Sequence, residues 1–168
     1  MHFSLLHLSQ AQLEALANSE EPDELQVRAE PGAFPPSFVA ARSLKLLATN
    51  AVGPWSSSYM IVRTNDSRLV GGCGFKSLLH FGRVEVGYGV SESARNMGAA
   101  TSALNQLAHI AFEAGAIELL AEILPTNVSS IRVVQKAGFL QAGSRTDAEG
   151  EHVIQWLLRR RDLTTCPS

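Results

Sequence analysis

The sequence predicts an α+β fold: one mixed, mainly antiparallel β-sheet of about six to seven strands, with helices on both faces. Three neighbouring strand patterns between residues 55 and 90 are typical of an antiparallel meander. A helical pattern then connects residue 90 to a continuous apolar run at 117–124, which indicates a parallel βαβ unit with a right-handed crossover. Two closing strands complete the sheet.

The N-terminal third of the chain is predicted to contain one strand and two helices. Residues 3–8 form the strand, and Ser9 is placed to cap a short helix that follows it. Residues 18–36 carry five acidic residues and four prolines, a composition that favours a loop or a broken helix. From Ser37 the apolar positions recur at helical spacing, and this pattern ends before Pro54.

The rest of the chain alternates between strand and helix patterns. Strand patterns are found at 55–63, 69–75, 83–90, 117–124, 139–144 and 152–158. Helical periodicity follows Val90 as far as Gly115 and is found again at 127–137, before Gly138. The tail from Arg159 onward is predicted to be solvated.

The composition favours one domain that spans residues 1–168. Of these 168 residues, 45% are hydrophobic, 18% are charged, and the net charge is −2. Such a charge supplies no field for nucleic acid or an anionic membrane, so neither is expected as a partner. The two cysteines, Cys73 and Cys166, suggest neither a disulfide framework nor a metal site, and no stretch is long enough to cross a bilayer. We expect a cytoplasmic protein.

The most informative segment is the loop at 95–101, Arg-Asn-Met-Gly-Ala-Ala-Thr, which opens the long helix. A helix N-terminus carries partial positive charge and unpaired N–H donors, so it binds phosphate where small residues allow a close approach. Gly98 and the two alanines after it remove bulk, and Arg95 adds a cation. The alternative is that the small residues only let the helix pack closely on the sheet.

The strand before this loop has one face that is almost free of side chains. In a strand with period two, Glu85, Gly87 and Gly89 point one way, while Tyr88 and the valines point the other. The glycine face offers room for an extended ligand. A β-bulge or close helix packing would explain the same glycines.

Four motifs can be compared with known families: Glu85-Val86-Gly87-Tyr88-Gly89-Val90, Arg95-x-x-Gly98-x-Ala100-Thr101, Asn127-x-x-Ser130 and Lys136-Ala137-Gly138-Phe139. Together they resemble the GNAT acetyltransferase superfamily over about residues 69–143, the predicted CoA-binding core. The resemblance is closest to the branch that contains the ribosomal-protein N-terminal acetyltransferases.

The resemblance implies acetyl-CoA as co-substrate, a primary amine as acceptor and no metal. It places the pyrophosphate on the backbone N–H groups of residues 95–101 and the pantetheine beside the strand that ends at Val90. The implied cofactor-binding residues are Tyr88, Gly89, Val90, Arg95, Asn96, Met97, Gly98, Ala99, Ala100, Thr101, Asn127 and Ser130.

Acetyl transfer to an amine needs a base for the ammonium proton, a donor for the oxyanion and a proton for the departing thiolate. Glu85 on the glycine face is the first candidate for the base, and the related branch commonly has a glutamate base there. The alternative for Glu85 is an ion pair with Arg83 or Arg63.

Two further residues are candidates for catalysis. Asn127 follows a buried strand, where it can contact the cofactor or simply cap the next helix. Many GNAT members have a tyrosine acid four residues before the Gly-Phe pair, but Val134 stands there in this chain. Ser130 matches the serine that the ribosomal-protein branch can use to protonate the thiolate, although its place in the first helical turn also suits ordinary helix capping.

The acceptor is predicted to be the N-terminal amine of a protein, such as a ribosomal protein. A small-molecule amine or antibiotic is the alternative within the same superfamily, and a catalytically silent CoA-binding sensor is the alternative from another class. The acidic stretch from Glu20 to Glu30 is a hypothetical lining of the acceptor side that would attract a cationic amine. The oligomeric state does not follow from the sequence.

Overall fold

A computed structural model describes residues 1–165 and contains a seven-stranded sheet. Its strand order is β1-β2-β3-β4-β5-β7-β6, and all neighbouring strands of the described sheet are antiparallel except β4 and β5. The predicted α+β fold with a mainly antiparallel sheet is therefore confirmed. The strands are β1 Phe3–His7, β2 Ser58–Arg63, β3 Arg68–Phe75, β4 Arg83–Val90, β5 Glu118–Ile123, β6 Leu140–Thr146 and β7 His152–Arg159.

The helices begin where capping residues or prolines precede them. At the predicted cap of the first helix, Ser9 Oγ accepts a hydrogen bond from Gln12 N at 3.2 Å, while Ser9 N donates to Gln12 Oε1 at 2.9 Å. No helix within residues 1–165 is long and apolar enough to span a membrane. The α-helices are α1 Gln10–Ala17, α2 Asp23–Gln26, α3 Ser37–Leu47, α4 Ala99–Glu113 and α5 Val128–Lys136.

Helices cover both faces of the sheet, as predicted. Neighbouring residues of β2 show the alternation, because Ile61 belongs to the core under α4 and α5 while Met60 belongs to the core under α1 and α3. Both side chains are fully buried. On the second face, a buried hydrogen bond of 2.7 Å between Ser43 Oγ and Ser58 Oγ fixes α3 to the start of β2.

Several predicted boundaries differ from the structure by a few residues. The strand predicted from residue 55 begins at Ser58, because Ser57 N donates to Pro54 O at 2.8 Å and closes a turn that buries Trp55. The acidic segment 18–36 contains the one-turn helix α2 within an otherwise irregular path, which agrees with the predicted loop or broken helix.

The predicted solvated tail begins at a residue that is exposed but still belongs to the sheet. Arg159 is the last residue of β7, and its Nε lies 3.5 Å from a carboxylate oxygen of Glu118. A 3₁₀-helix, Arg160–Thr165, follows it. Cys166 lies outside the described residues.

The packing of α4 on the sheet makes a testable contribution to stability. Leu104 is fully buried in the core under this helix, so Leu104→Ala removes apolar contacts and leaves a cavity. We expect the free energy of unfolding to fall by about 2–5 kcal/mol in a denaturant titration. The control Val52→Ala changes a side chain that is 95% exposed, and it should alter the free energy of unfolding by less than about 0.5 kcal/mol. Equal unfolding free energies for the two variants would contradict this packing.

Candidate functional site

Strands β4 and β5 pair only over the first half of their length. The described register joins Arg83 to Glu118, Val84 to Leu119 and Glu85 to Leu120, and it stops there although β4 continues to Val90. The β5-facing backbone groups of the rest of β4 therefore have no strand partner in the described sheet. Because backbone donors and acceptors need partners, this opening is suited to an extended ligand that carries amides. Glu85 lies at its apex.

The predicted phosphate-binding loop lies at the wide end of the opening. Asn96 and Gly98 have left-handed backbones, with φ of 61° and 83°. Gly98 is the N-cap of α4, and no side chain in the described part of the chain caps this helix. Residues 95–98 are exposed, whereas Ala99 and Ala100 are buried against the sheet. The first-turn N–H groups of α4 thus remain available to an external acceptor.

A shallow depression extends from this loop along α4. It has a volume of about 850 Å³, and its border includes Gly98, Thr101, Asn105, His109 and Lys136. The loop is therefore continuous with a surface that has room for a bulky group attached to a phosphate.

Tyr88 connects β4 to α5 at the edge of the opening. Its hydroxyl donates a hydrogen bond of 3.1 Å to the backbone oxygen of Ser130. Burial raises the pKa of Tyr88 to about 12, against a smaller opposite effect of that hydrogen bond. The phenol therefore stays protonated, and its hydroxyl group can donate the hydrogen bond that links β4 to α5.

Asn127 caps α5, which is one of the two roles that the sequence predicted for it. Its Oδ1 accepts hydrogen bonds from Ser130 N at 3.2 Å and from Ser129 Oγ at 3.1 Å. These bonds use both lone pairs of the amide oxygen, so a ligand contact by Asn127 has to come from its N–H donors. Val134, where a tyrosine acid is common in the resembling family, is fully buried in the core.

The glycine face of β4 borders a second cavity of about 410 Å³, here called the glycine cleft. Its floor consists of Gly72, Gly74, Gly87 and Gly89, from β3 and β4. Opposite them lie apolar residues from the end of the loop before α3 and from α3 itself: Phe34, Pro35, Pro36, Phe38 and Val39. The space predicted from the glycines is therefore present. The apolar residues opposite them, here called the roof of the cleft, were not predicted from the sequence.

Lys76 narrows the cleft and pairs with the candidate base. A Cβ added at Gly87 would lie 2.9 Å from Cδ of Lys76, so the lysine stem crosses this part of the glycine face. The Lys76 Nζ lies 2.8 Å from Glu85 Oε1. The predicted ion pair of Glu85 is thus present, but with Lys76.

The ion-pair partners named for Glu85 in the sequence analysis were wrong. Arg83 pairs with Glu118 at 2.6 Å, because these residues are cross-strand neighbours. Arg63 is held by Asp66 at 2.7 Å and by Glu30 at 3.1 Å.

Arg42 in α3 is a site residue that the sequence analysis missed. It lines the glycine cleft half-buried, and its Nε is buried without a hydrogen-bond partner among residues 1–165. Burial lowers the pKa of Arg42, while the Glu85 charge acts in the opposite direction. One feature of the sequence could have indicated it: Arg42 follows Phe38 by four positions, so both side chains lie on the same side of the helix, close to its apolar stripe.

The acidic stretch does not line this cleft. Two cations, Arg42 and Lys76, line the cleft, whereas none of the described carboxylates does. Glu30 contacts Arg68 at 3.3 Å as well as Arg63, and Glu24 accepts a hydrogen bond from Gln12. The hypothesis that residues 20–30 form the acceptor side therefore finds no support at this cleft.

Metal and cysteine chemistry find no support in the described residues. No group of three or more His, Cys, Asp or Glu side chains within residues 1–165 is placed to hold a metal ion. Cys73 borders the cleft as a free, buried thiol, and burial raises its pKa to about 12. Its thiol therefore stays protonated rather than becoming a nucleophilic thiolate.

Comparison with solved structures shows the same fold at low sequence identity. The ribosomal-protein-S5-alanine acetyltransferase of Vibrio fischeri has a TM-score of 0.67 at 16% identity, over 96% of this chain and 95% of that chain. Aminoglycoside acetyltransferase AAC(6')-Ib in complex with coenzyme A has a TM-score of 0.69 at 16% identity, over 99% of this chain and 100% of that chain. A spermidine N-acetyltransferase chimera from Vibrio cholerae and hSSAT has a TM-score of 0.67 at 11% identity, over 99% of this chain and 100% of that chain.

Family comparison adds a match that covers most of the chain. No curated protein sequence matches. The family model described as "Acetyltransferase (GNAT) domain" matches residues 4–140, which include the opening between β4 and β5, the loop before α4 and the glycine cleft. The chain therefore belongs to the GNAT acetyltransferase family and is an N-acetyltransferase that takes its acetyl group from acetyl-CoA.

Proposed function

We propose that this enzyme acetylates the N-terminal amine of a protein, such as a ribosomal protein. The positive charge of the glycine cleft carries this proposal, because Arg42 and Lys76 line it, while Glu85 beside it balances only one of these two charges. A polycation such as an aminoglycoside or a polyamine would meet like charges there, whereas a peptide N-terminus brings one amine on a neutral backbone. The fold shared with a ribosomal-protein-S5-alanine acetyltransferase is consistent with this acceptor class.

A small-molecule amine with a single charge is the second candidate acceptor. The cleft volume of about 410 Å³ favours it, since this volume lies within the usual range for small-molecule sites. This candidate shares the acetyl-CoA site and the chemistry of the first.

In the proposed complex, acetyl-CoA occupies the opening between β4 and β5. The pyrophosphate accepts hydrogen bonds from backbone N–H groups of residues 95–101, with Arg95 as a counter-charge. The pantetheine amides pair with β4 from Val90 back through Gly89 and Tyr88, where β5 has separated. Five residues of strand, roughly 17 Å, separate Val90 from Glu85, so this direction brings the thioester towards the apex.

The proposed chemistry assigns one role to each polar group near the apex. Glu85 takes the ammonium proton on Oε2, because Oε1 faces Lys76. The amine nitrogen then attacks the thioester carbon, a C–N bond forms, and the C–S bond breaks. The thiolate takes a proton from the Ser130 hydroxyl or from water, and the attacking nitrogen, which carries one proton too many once the C–N bond has formed, returns a proton to that donor. The Asn127 side-chain N–H groups are the donors on this side for the thioester oxygen.

An acceptor panel tests the proposed substrate class. Thiol release from acetyl-CoA should be faster with neutral peptides that have a free N-terminus than with spermidine or an aminoglycoside. The same peptides with a blocked N-terminus are the control, and they should give no release. A clear preference for the polycations would contradict the assignment, and a preference for small monoamines over every peptide would favour the second candidate.

Substitution of Gly98 tests the phosphate site. A Cβ at Gly98 meets nothing within 4 Å, but φ of +83° strains any substitution. Gly98→Gln and Gly98→Glu share this strain and differ in charge, so Gly98→Glu should bind acetyl-CoA at least about tenfold more weakly than Gly98→Gln in calorimetry. Equal affinities would place the phosphates elsewhere.

Substitution of Glu85 tests the proposed base. Glu85→Gln should lower kcat by about 10²–10⁴-fold while acetyl-CoA affinity changes little, because only proton transfer is removed. Glu118→Gln is the matched control, since it also removes a carboxylate from an ion pair next to β4. A similar loss of kcat in both variants would show that the ion pairs matter only for structure.

A further inference from the structure

Arg42 is held at the glycine cleft by the packing of α3 rather than by a bond of its own. Its neighbour Ser43 is buried and hydrogen-bonded to Ser58, so the helix cannot easily rotate and carry the guanidinium into solvent. Val39 and Phe38, one turn earlier on the helix, line the same cleft. The position of Arg42 is therefore a property of the fold.

The guanidinium of Arg42 has unsatisfied hydrogen-bonding capacity. Its Nε is buried and has no partner in the part of the chain that the structure describes. A buried donor left unpaired costs folding free energy, and a half-buried cation is stabilised by an opposite charge nearby. A ligand with a negatively charged oxygen acceptor would supply that charge to the exposed part of the guanidinium.

Glu85 does not fulfil this need. Its Oε1 is engaged by Lys76 Nζ at 2.8 Å, and its charge acts on Arg42 only through space. Arg42, Lys76 and Glu85 together carry a net charge of +1, by 2 − 1, and the neighbouring Glu122 and Arg145 balance each other in an ion pair. An occupant that brings one negative charge would balance the site.

The chemistry of the missing partner follows from the shape of the guanidinium. Its planar fork of N–H donors matches two oxygens in one plane, and this is the geometry of a carboxylate. The apolar walls formed by Phe34, Pro35 and Val39 are suited to a hydrocarbon portion beside that group.

We propose that Arg42 binds a carboxylate of the amine acceptor, which therefore carries this carboxylate close to its reactive amine. This inference rests on the proposed function, since it concerns the acceptor of the same transfer reaction. Two sources supply the chemistry: an acidic side chain at the start of a peptide, or the α-carboxylate of a free amino acid.

Matched acceptor pairs test the inference and separate the two sources. One pair is a peptide amide that begins with Glu and the same peptide beginning with Gln. The other pair is leucine and leucinamide. We expect the wild-type enzyme to use the carboxylate member of at least one pair with about tenfold higher kcat/KM, as for a hydrogen bond to a charged group. The pair that shows the preference identifies the source.

Variants of Arg42 test whether this residue creates the preference. Arg42→Gln should reduce the ratio of kcat/KM within the pair to about one, mainly through a higher KM for the carboxylate member, and Arg42→Lys should retain part of it. Lys45→Gln is the control, because Lys45 is an exposed cation on the same helix, and it should keep the wild-type ratio. Calorimetry with acetyl-CoA shows for each variant whether the fold and the co-substrate site are intact.

Several outcomes would overturn the inference. Equal use of both members of both pairs by the wild type excludes a carboxylate site while leaving the N-acetyltransferase assignment in place. If Arg42→Gln lowers kcat/KM equally for all acceptors, Arg42 has a structural role. If Arg42→Gln weakens the binding of acetyl-CoA, Arg42 contributes to the co-substrate site. Transfer to no member of any pair contradicts the proposed acceptor class and this inference together.

Discussion

The separation of β4 from β5 beyond the Glu85–Leu120 pair is the constraint on which the site depends. β5 stays in register with β7 on its other edge, from Glu118–Arg159 to Ile123–Ile154, so the separation leaves unpaired only the edges of β4 and β5 that face each other. Unpaired backbone in the middle of a sheet is costly unless another group takes its place. The contact of Tyr88 with the Ser130 carbonyl keeps α5 at the edge of the opening. A ligand-shaped gap is thereby built into the sheet rather than into a loop.

The same strand serves two different compartments because its side chains alternate. Tyr88 and the valines of β4 complete the core under α4, while Gly87 and Gly89 leave the opposite face low enough for Pro35 and α3 to form the glycine cleft. The β5-facing edge of β4 is a third surface, and β4 ends at the segment that leads to the N-terminus of α4. Co-substrate and acceptor can thus approach one strand from its edge and from its face, and both reach Glu85.

Local signals explain why much of this arrangement was predictable. The cap at Ser9, the glycine before α4 and the cap at Asn127 depend on residues a few positions apart, so the sequence displays them directly. The partner of Glu85 was not predictable in this way. Lys76 reaches it because the hairpin closes with Lys76 N bonded to Glu85 O at 2.7 Å, and the register of that hairpin depends on a loop without a turn signature.

Arg42 escaped prediction for a related reason, since only tertiary packing of α3 shows which part of the helix meets the glycines. The candidate base, the glycine face and the phosphate loop lie within residues 85–101, where strand and helix periods specify them. The roof and the cations come from residues 34–42 and 76, which are remote in sequence or lie in a loop. The co-substrate side of the site was thus more predictable than the acceptor side.

The two cations also bear on the first step of the proposed reaction. An amine acceptor arrives mainly as an ammonium ion, which cannot attack a thioester until it loses a proton. Positive charges nearby disfavour the ammonium form, so Arg42 and Lys76 would lower the pKa of an amine in the glycine cleft. A carboxylate on the acceptor would be drawn to Arg42 and hold the molecule there despite the repulsion of its ammonium group. Attraction of one group and deprotonation of the other would then come from the same pair of side chains, with Glu85 as the nearby proton acceptor.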